Sequence, residues 1–377
     1  MKLGYDGKRA VQNFTGLGNY SRYVIDSLAT CYAGNEYILY APKRRENKSL
    51  SIIEEKSSGS VCRRFPKKGF WSKLSSLWRV WGVTSDLHND GVELFHGLSN
   101  ELPLNIKGKV KSIVTIHDLI FLKYPQFYPV IDRWIYNFKF RRACCNANHI
   151  IAVSECTKRD IIDYYSISPE KISVIYQGCD NAFSAVIAKE QCEEVRQRYS
   201  LPEHFVLSVG TIEERKNLLS VVKALTKLPQ EIHLVAVGRH TKYTDKVKKY
   251  ISENNLQNRV HFLHGVTYTD LPVIYRCADV FAYMSVYEGF GIPLLEALYS
   301  SLPVVAATGS CLEEAGGPSS IYVSPYDVDA IAESIVQAMQ PDVRAKMVEQ
   351  GLEWASRFTP EEHARRTMEC YKKVINE

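Results

Sequence analysis

Two glutamates, Glu288 and Glu296, stand eight positions apart in the run VYEGFGIPLLEAL, separated by glycines, a proline and apolar residues. Paired carboxylates at the ends of so apolar a segment suit two kinds of chemistry. One is general acid and base work on a glycosidic bond, which needs carboxyl groups about 5 to 9.5 Å apart. The other is recognition of a ligand lying between them. Glycines follow the apolar run DVFAYM, and Pro293 suits the first position of a helix, because its missing N–H costs nothing there. Glu296 is then expected in the first turn of that helix. The backbone N–H groups at Phe290, Gly291 and Ile292 are placed to face an anion, and the helix dipole favours negative charge in front of them.

Other positions offer matching chemistry. In FVLSVGTIEERKNLLSVVKAL, Arg215 and Lys216 fall after a strand and just before a helix that Asn217 is expected to cap, where cations and helix N–H groups can share one anion. Neighbouring side chains on a helix diverge, which leaves open whether Arg215 supplies a second charge or Lys216 works nearly alone. FTGLGNYSRYVIDSL sets Gly16 and Gly18 ahead of an amphipathic helix; the third glycine of a dinucleotide fingerprint is missing, with Ser21 in its place. His117 and Asp118 close the strand SIVTIH, where a doubly wound domain presents its site residues. Ser154, Thr157, Lys158 and Asp160 in VSECTKRDI are explained nearly as well by helix capping at Ser154 and are not counted as site residues.

The string SVYEGFGIPLLEAL closely resembles the signature of the retaining glycosyltransferases of GT-B fold, family 4 (glycosyl transferases group 1), in which two glutamates are separated by seven residues. The resemblance extends through GTIEERKN, FLHGVTYTDLPVIYRCADVFAY, GSCLEEAGG, the His117-Asp118 pair and the Gly16 loop over almost the whole chain. It implies transfer of a sugar from a nucleotide diphosphate sugar to an acceptor hydroxyl, with retention at the anomeric carbon and without metal or other cofactor. Arg215, Lys216, Gly16 and the N–H groups at Phe290, Gly291 and Ile292 would hold the donor diphosphate, and Glu296 the ribose. Val266 would seat the base, while Glu288 and His117 would face the transferred sugar as the catalytic pair. Many members carry a basic residue after the strand glycine, where this chain has Thr211. GTIEERKN and YEGFGIPLLEAL look most like the branch rich in mannosyltransferases of surface-polysaccharide assembly, which implies GDP-mannose first and UDP-sugars next. A GT-B-fold sugar-nucleotide epimerase and a non-catalytic sugar-nucleotide-binding protein stay as alternatives. The paired cations argue against a glycoside hydrolase, which has no diphosphate to hold.

The elements that must position these residues are legible as an alternation. Short β-rich runs (MKLGYD, YILYA, VELFHG, SIVTIH, IIAVS, ISVIY, then FVLSVG, IHLVAVG, RVHFLHG, DVFAYM, LPVVAA, SIYVS) are separated by helical patterns. That is an α/β class with parallel sheets, read as two doubly wound Rossmann-like domains facing a cleft. Residues 1–180 form the expected acceptor-side domain and 181–357 the nucleotide-sugar domain. Residues 358–377 form a final helix, started by Thr359, Pro360 and Glu362 as a capping box and expected to cross back to the first domain.

Composition narrows the remaining choices. A 377-residue chain with 45% hydrophobic and 24% charged residues is an ordinary globular protein, and a net charge of +5 is too small and too evenly spread for a nucleic-acid partner. Scattered cysteines without metal-ligand spacing and no apolar run of signal or membrane-span type suggest a cytoplasmic protein. Residues 63–82 are distinctive: RRFPKKGFWSKLSSLWRVWG holds six basic residues, no acids, three tryptophans and two phenylalanines. Such a segment can lie on an anionic membrane surface and serve a glycan or lipid-linked acceptor; alternatively Trp78 and Trp81 pack into the core and the lysines solvate a helix.

Overall fold

The computed structural model describes residues 1–67 and 69–377; Lys68, one of the six basic residues in the 63–82 stretch, lies outside the described residues. The chain divides into two units, Met1–Gln177 together with Phe358–Glu377, and Gly178–Arg357.

The first unit is built on seven strands: β1 Lys2–Asp6, β2 Glu36–Tyr40, β3 Val61–Arg64, β4 Leu94–Gly97, β5 Lys111–Ile116, β6 His149–Ala152 and β7 Ile172–Val174. Their order is β3-β2-β1-β4-β5-β6-β7, and every neighbouring pair is parallel. The second unit carries β8 His204–Val209, β9 Ile232–Val237, β10 Val260–Leu263, β11 Val280–Tyr283, β12 Val304–Ala307 and β13 Ile321–Val323, in the order β10-β9-β8-β11-β12-β13, again parallel throughout. Helices cover both faces, so the central strands are apolar and wholly buried, as in β4, β6, β11 and β12. In each sheet the strand order reverses beside the first strand, β1 or β8, and there the loops at the carboxyl ends part to leave room for a ligand.

All twelve strands expected from the sequence are present. The thirteenth, β3, was hidden because it is a four-residue edge strand, VCRR, whose polar side chains suit an edge and read as the start of a basic segment. Beyond it, residues 70–89 wind through helical turns in which Trp78 is 1% exposed, its Nε1 donating to Asp86 at 2.7 Å, whereas Trp81 is 46% exposed. The helix breaks at Leu74 and passes into a π-turn at Trp78–Gly82, and Phe70, Leu74, Leu77 and Trp81 are all exposed, so only Trp78 of the two tryptophans joins the core.

The final helix, Pro360–Asn376, packs on the first unit. Met368, Tyr371 and Val374 are fully buried with Val24, Ile25 and Leu28 of the helix Gly16–Cys31, each contributing about 1.5–3 kcal/mol. Tyr371 also reaches His96 Nδ1 at 2.6 Å. Thr359 accepts a hydrogen bond from the Glu362 N–H at 3.2 Å, but the Glu362 carboxylate turns to Arg365 and Arg366, so the capping box forms only by half.

Candidate active site

In the second unit the site is assembled at the carboxyl ends of β8 and β11, the neighbours at the reversal point. After β8 the chain passes Gly210, whose φ of +144° and open face let the Lys216 stem lie across it; a Cβ there would sit 3.3 Å from Lys216 Cδ. Glu214–Lys216 make a single 3-10 turn that ends at Asn217 in the left-handed region (φ 51°), and the helix Leu218–Leu225 follows. Asn217 occupies the cap position without capping: its side-chain amide donates to Pro325 O at 2.6 Å, and its Oδ1 accepts from Ser220 Oγ at 3.0 Å.

The turn removes the conflict between Arg215 and Lys216 that a continuous helix would impose. The Val286 N–H donates to Arg215 O at 2.9 Å, pinning the loop after β11 alongside the turn. Both cationic heads then reach Glu288 Oε1, Arg215 Nη1 at 2.9 Å and Lys216 Nζ at 2.8 Å. The same oxygen accepts from Ser285 Oγ at 2.7 Å and Tyr283 OH at 2.9 Å. Arg215 is steadied further by Glu213 at 2.7 Å and by the Tyr287 carbonyl, and Lys216 by the Tyr283 hydroxyl. Burial opposes ionisation of Glu288, but Arg215 and Lys216 outweigh it and hold the carboxyl far below the ordinary range. Glu288 is therefore an anion at any physiological pH and cannot act as a general acid.

Phe290 is buried, Gly291 takes φ +118° at the helix cap, and Ile292 begins the helix Ile292–Tyr299. A Cβ on Gly291 would meet Leu312 Cδ2 at 2.9 Å, so the turn is fixed by both conformation and packing. The helix geometry leaves the Ile292 N–H without an intrahelical acceptor, at the positive end of the dipole. Pro293 is the second helical residue rather than the first, and Glu296 the fifth, one residue deeper than expected. There it accepts a hydrogen bond from Tyr275 OH at 2.7 Å. Burial pushes its carboxyl up to about 7, the Tyr275 hydrogen bond and Lys216 opposing the rise and Asp180 adding to it. Val266 lies in the loop after β10, half-buried, next to Gly265 at φ +64°.

In the first unit Gly16 opens the helix Gly16–Cys31, and nothing in the protein comes within 4 Å of where its Cβ would be. Gly18 is the crowded glycine: its Cβ would stand 2.0 Å from Asn13 O. His117 follows β5, almost wholly buried, with Nε2 2.9 Å from Leu98 O and its ring edge-on to Tyr20 at 4.5 Å between centroids. Burial lowers its pKa to about 4, only partly offset by the Leu98 carbonyl. The neutral ring donates Nε2–H to Leu98 O, which leaves Nδ1 as an acceptor.

Arg215, Lys216 and Glu288 are thus in direct contact, Phe290, Gly291 and Ile292 follow them along the chain, and Lys216 acts electrostatically on Glu296. Val266 is a loop away, and Gly16 and His117 belong to the other unit. Sequence reasoning missed Tyr283, Ser285 and Tyr275, which hold the two glutamates. Tyr283 lies in the run DVFAYM and Ser285 opens SVYEGFGIPLLEAL, where alternation after a strand could have marked them. Among the described residues no group of three or more His, Cys, Asp or Glu side chains is placed to hold a metal ion.

Residues 193–354 match the family described as Glycosyl transferases group 1, and residues 14–183 match Glycosyltransferase Family 4. The chain is 30% identical over 385 residues to the O-antigen chain mannosyltransferase B of Escherichia coli, covering 99% of this chain and 100% of that one. It is 29% identical to the O-antigen chain mannosyltransferase RfbU of Salmonella typhimurium over 57% of each chain. Among solved structures, Anabaena HepE in complex with UDP and glucose superposes with a TM-score of 0.78 at 20% identity, over 99% of this chain and 100% of that one.

Proposed function

From the premise that this chain belongs to the glycosyl transferases of group 1, a glycosyltransferase of GT-B fold, we propose that it moves mannose from GDP-mannose to a glycan or lipid-linked acceptor in surface-polysaccharide assembly. The observation that carries this reading is the convergence of Arg215 and Lys216 on one carboxylate oxygen. Two cations held by side chains that are mostly buried form a preorganised seat for a diphosphate, whose negative charge grows as the sugar leaves.

In the reaction Lys216, Arg215 and the Ile292 N–H stabilise the leaving diphosphate, while Glu296 accepts from the ribose hydroxyls beside Tyr275. Val266 seats the base. Glu288 lies against hydroxyls of the transferred sugar and opposes the positive charge that develops at its anomeric carbon. Neutral His117 accepts a hydrogen bond from the sugar or the acceptor through Nδ1. Gly16 lets a ligand come close to the backbone. The sugar is transferred with retention, and no metal or other cofactor takes part.

A panel of nucleotide sugars, tested in buffer with chelator, is expected to give slow nucleotide release from GDP-mannose and from few others. Lys216→Ala is expected to raise KM for that donor by about 10- to 100-fold, the worth of one charged hydrogen bond. No binding of any nucleotide sugar at millimolar concentration would sink the proposal, and an isomerised sugar without transfer would favour an epimerase.

The acceptor side adds a membrane contact through residues 63–82. No helix among the described residues is long and apolar enough to cross a membrane. Support for surface contact comes from the exposed apolar side chains that begin at Phe70, 65% exposed, and from a second face on the helix Val130–Asn146, where Val130, Ile131 and Trp134 are 74%, 73% and 71% exposed. Both segments flank Glu101–Asn105: Arg79 and Lys139 pair with Glu101, Arg142 donates to Leu104 O, and Asn105 donates to Trp81 O. By sequence the ranges 63–82 and 130–146 hold ten basic residues and one acid; Arg63 and Arg79 are paired with Glu54, Asp6 and Glu101, and each base left exposed adds about 1 kcal/mol near an anionic bilayer. The protein is expected to sediment with phosphatidylglycerol vesicles and not with phosphatidylcholine ones, and Phe70→Ser with Trp134→Ser to abolish this. Equal recovery with both lipids would remove the contact.

A further inference from the structure

Beside the loop that leads to Gly16, the first unit has an open cavity of about 870 Å³ lined by the loop after β2, the helix Lys48–Lys56 and the length of β3. Four cations line it, Arg44, Arg45, Lys48 and Arg63, against two acids, Glu46 and Glu54. Arg63 and Glu54 neutralise one another at 2.5 Å. Among the described residues no carboxylate lies within ion-pair distance of Arg44, Arg45 or Lys48. Aromatic faces hold the two arginines instead: Arg44 stands over Phe65 at 4.5 Å, and Arg45 over Phe14 at 4.6 Å. A guanidinium stacked on a ring keeps its N–H fork directed outward with its charge unspent, and has less rotamer freedom to lose on meeting a ligand.

The cavity wall is tied to the glycine loop. Arg45 donates to Gln12 O at 3.1 Å, Gln12 donates back to Lys43 O at 3.0 Å, and buried Asn47 donates to Ala10 O at 3.1 Å. Arg22 grips the same loop from the other side, through Ala10 O at 2.9 Å and Asn13 O at 2.8 Å. Phe14 therefore connects the basic cavity to Gly16, two residues on. At the other wall Phe65 precedes by five residues Phe70, the first of the exposed apolar side chains Phe70, Leu74, Leu77 and Trp81.

We propose that this cavity binds the phosphate or diphosphate group of the acceptor, so that a lipid-linked acceptor runs from the exposed apolar side chains, through the Arg44, Arg45 and Lys48 seat, to the Gly16 loop. This rests on the transferase reading and adds to it the chemical class of the acceptor. Three cations against Glu46 leave a surplus that suits a group of two or more negative charges, and the arginine forks match phosphate oxygens. A neutral sugar alone would leave the arginines nothing to neutralise.

The test titrates geranyl diphosphate, inorganic diphosphate and geraniol into the full chain by calorimetry, with the donor site filled by saturating GDP. Geranyl diphosphate is expected to bind, geraniol not, and Arg44→Gln with Lys48→Gln to weaken binding at least tenfold and flatten its salt dependence; the unchanged Tm of the double variant shows that it is folded. Equal binding by wild type and double variant overturns the site. Loss of phosphatidylglycerol vesicle binding in that variant, with geranyl diphosphate unbound in both, overturns the acceptor assignment in favour of a bilayer headgroup. Failure of GDP itself to bind, measured first, would strike the transferase reading and not the cavity.

Discussion

Glu288→Gln is expected to fold and to bind donor, yet to turn over about 100- to 1,000-fold more slowly, the scale seen when one preorganised electrostatic partner of a transition state is removed. The amide keeps the shape, so Ser285 and Tyr283 can still donate to its oxygen. What is lost is the negative charge that faces both Arg215 and Lys216. Breaking a buried ion pair from one side costs about 3–5 kcal/mol, and these side chains, 13–20% exposed, stand near the lower end of that range. The variant should therefore melt early when empty and regain more of its Tm than the wild type does on adding GDP, because phosphate oxygens restore the missing charge. Single-turnover rates and thermal scans with and without GDP check both halves. A wild-type rate would move the reacting centre elsewhere.

The second large effect separates two glycines in one loop. Gly18→Ala places a Cβ 2.0 Å from Asn13 O and 3.1 Å from Arg9 O, contacts that only a backbone shift can relieve. The shift would pull Asn13 from Arg22 and disturb the Phe14 shelf under Arg45. A loss of about 3 kcal/mol is expected from overpacking of this kind, lowering Tm by roughly 6–12 °C. Gly16→Ala meets no protein atom and stands in a helix, so its stability should hold or rise by up to about 1 kcal/mol. Its transfer rate should nevertheless fall at least tenfold, because the open space above Gly16 is where a ligand would come. Full activity in Gly16→Ala would take that residue out of the site, whatever Gly18→Ala does to the fold.

The strand framework was legible because parallel strands covered on both faces leave short, continuous apolar runs that little else produces. β3 broke the rule as an edge strand with two arginines in four residues. The helix Val130–Asn146 misleads in the opposite direction. Its Trp134, Ile135 and Phe138 are exposed, and hydrophobicity alone does not tell a buried face from one turned outward. At the site the ends of the motif were plain, but the partners of its glutamates were not. Tyr275 lies 21 residues ahead of Glu296, a distance set by the packing of the helix Leu271–Cys277 against Ile292–Tyr299 rather than by local sequence. Likewise the joint reach of Arg215 and Lys216 depends on a single 3-10 turn, which a helical projection hides.

The placement of Pro360–Asn376 on the first unit bears on how the chain comes off the ribosome. Residues 178–357 are contiguous and can condense as soon as they emerge, whereas the first unit lacks Met368, Tyr371 and Val374 until the segment after residue 357 has been made. The later part of the chain thus completes its fold before the earlier part. Until then the face of Val24, Ile25 and Leu28 stays uncovered, and the arrival of Pro360–Asn376 closes the first unit.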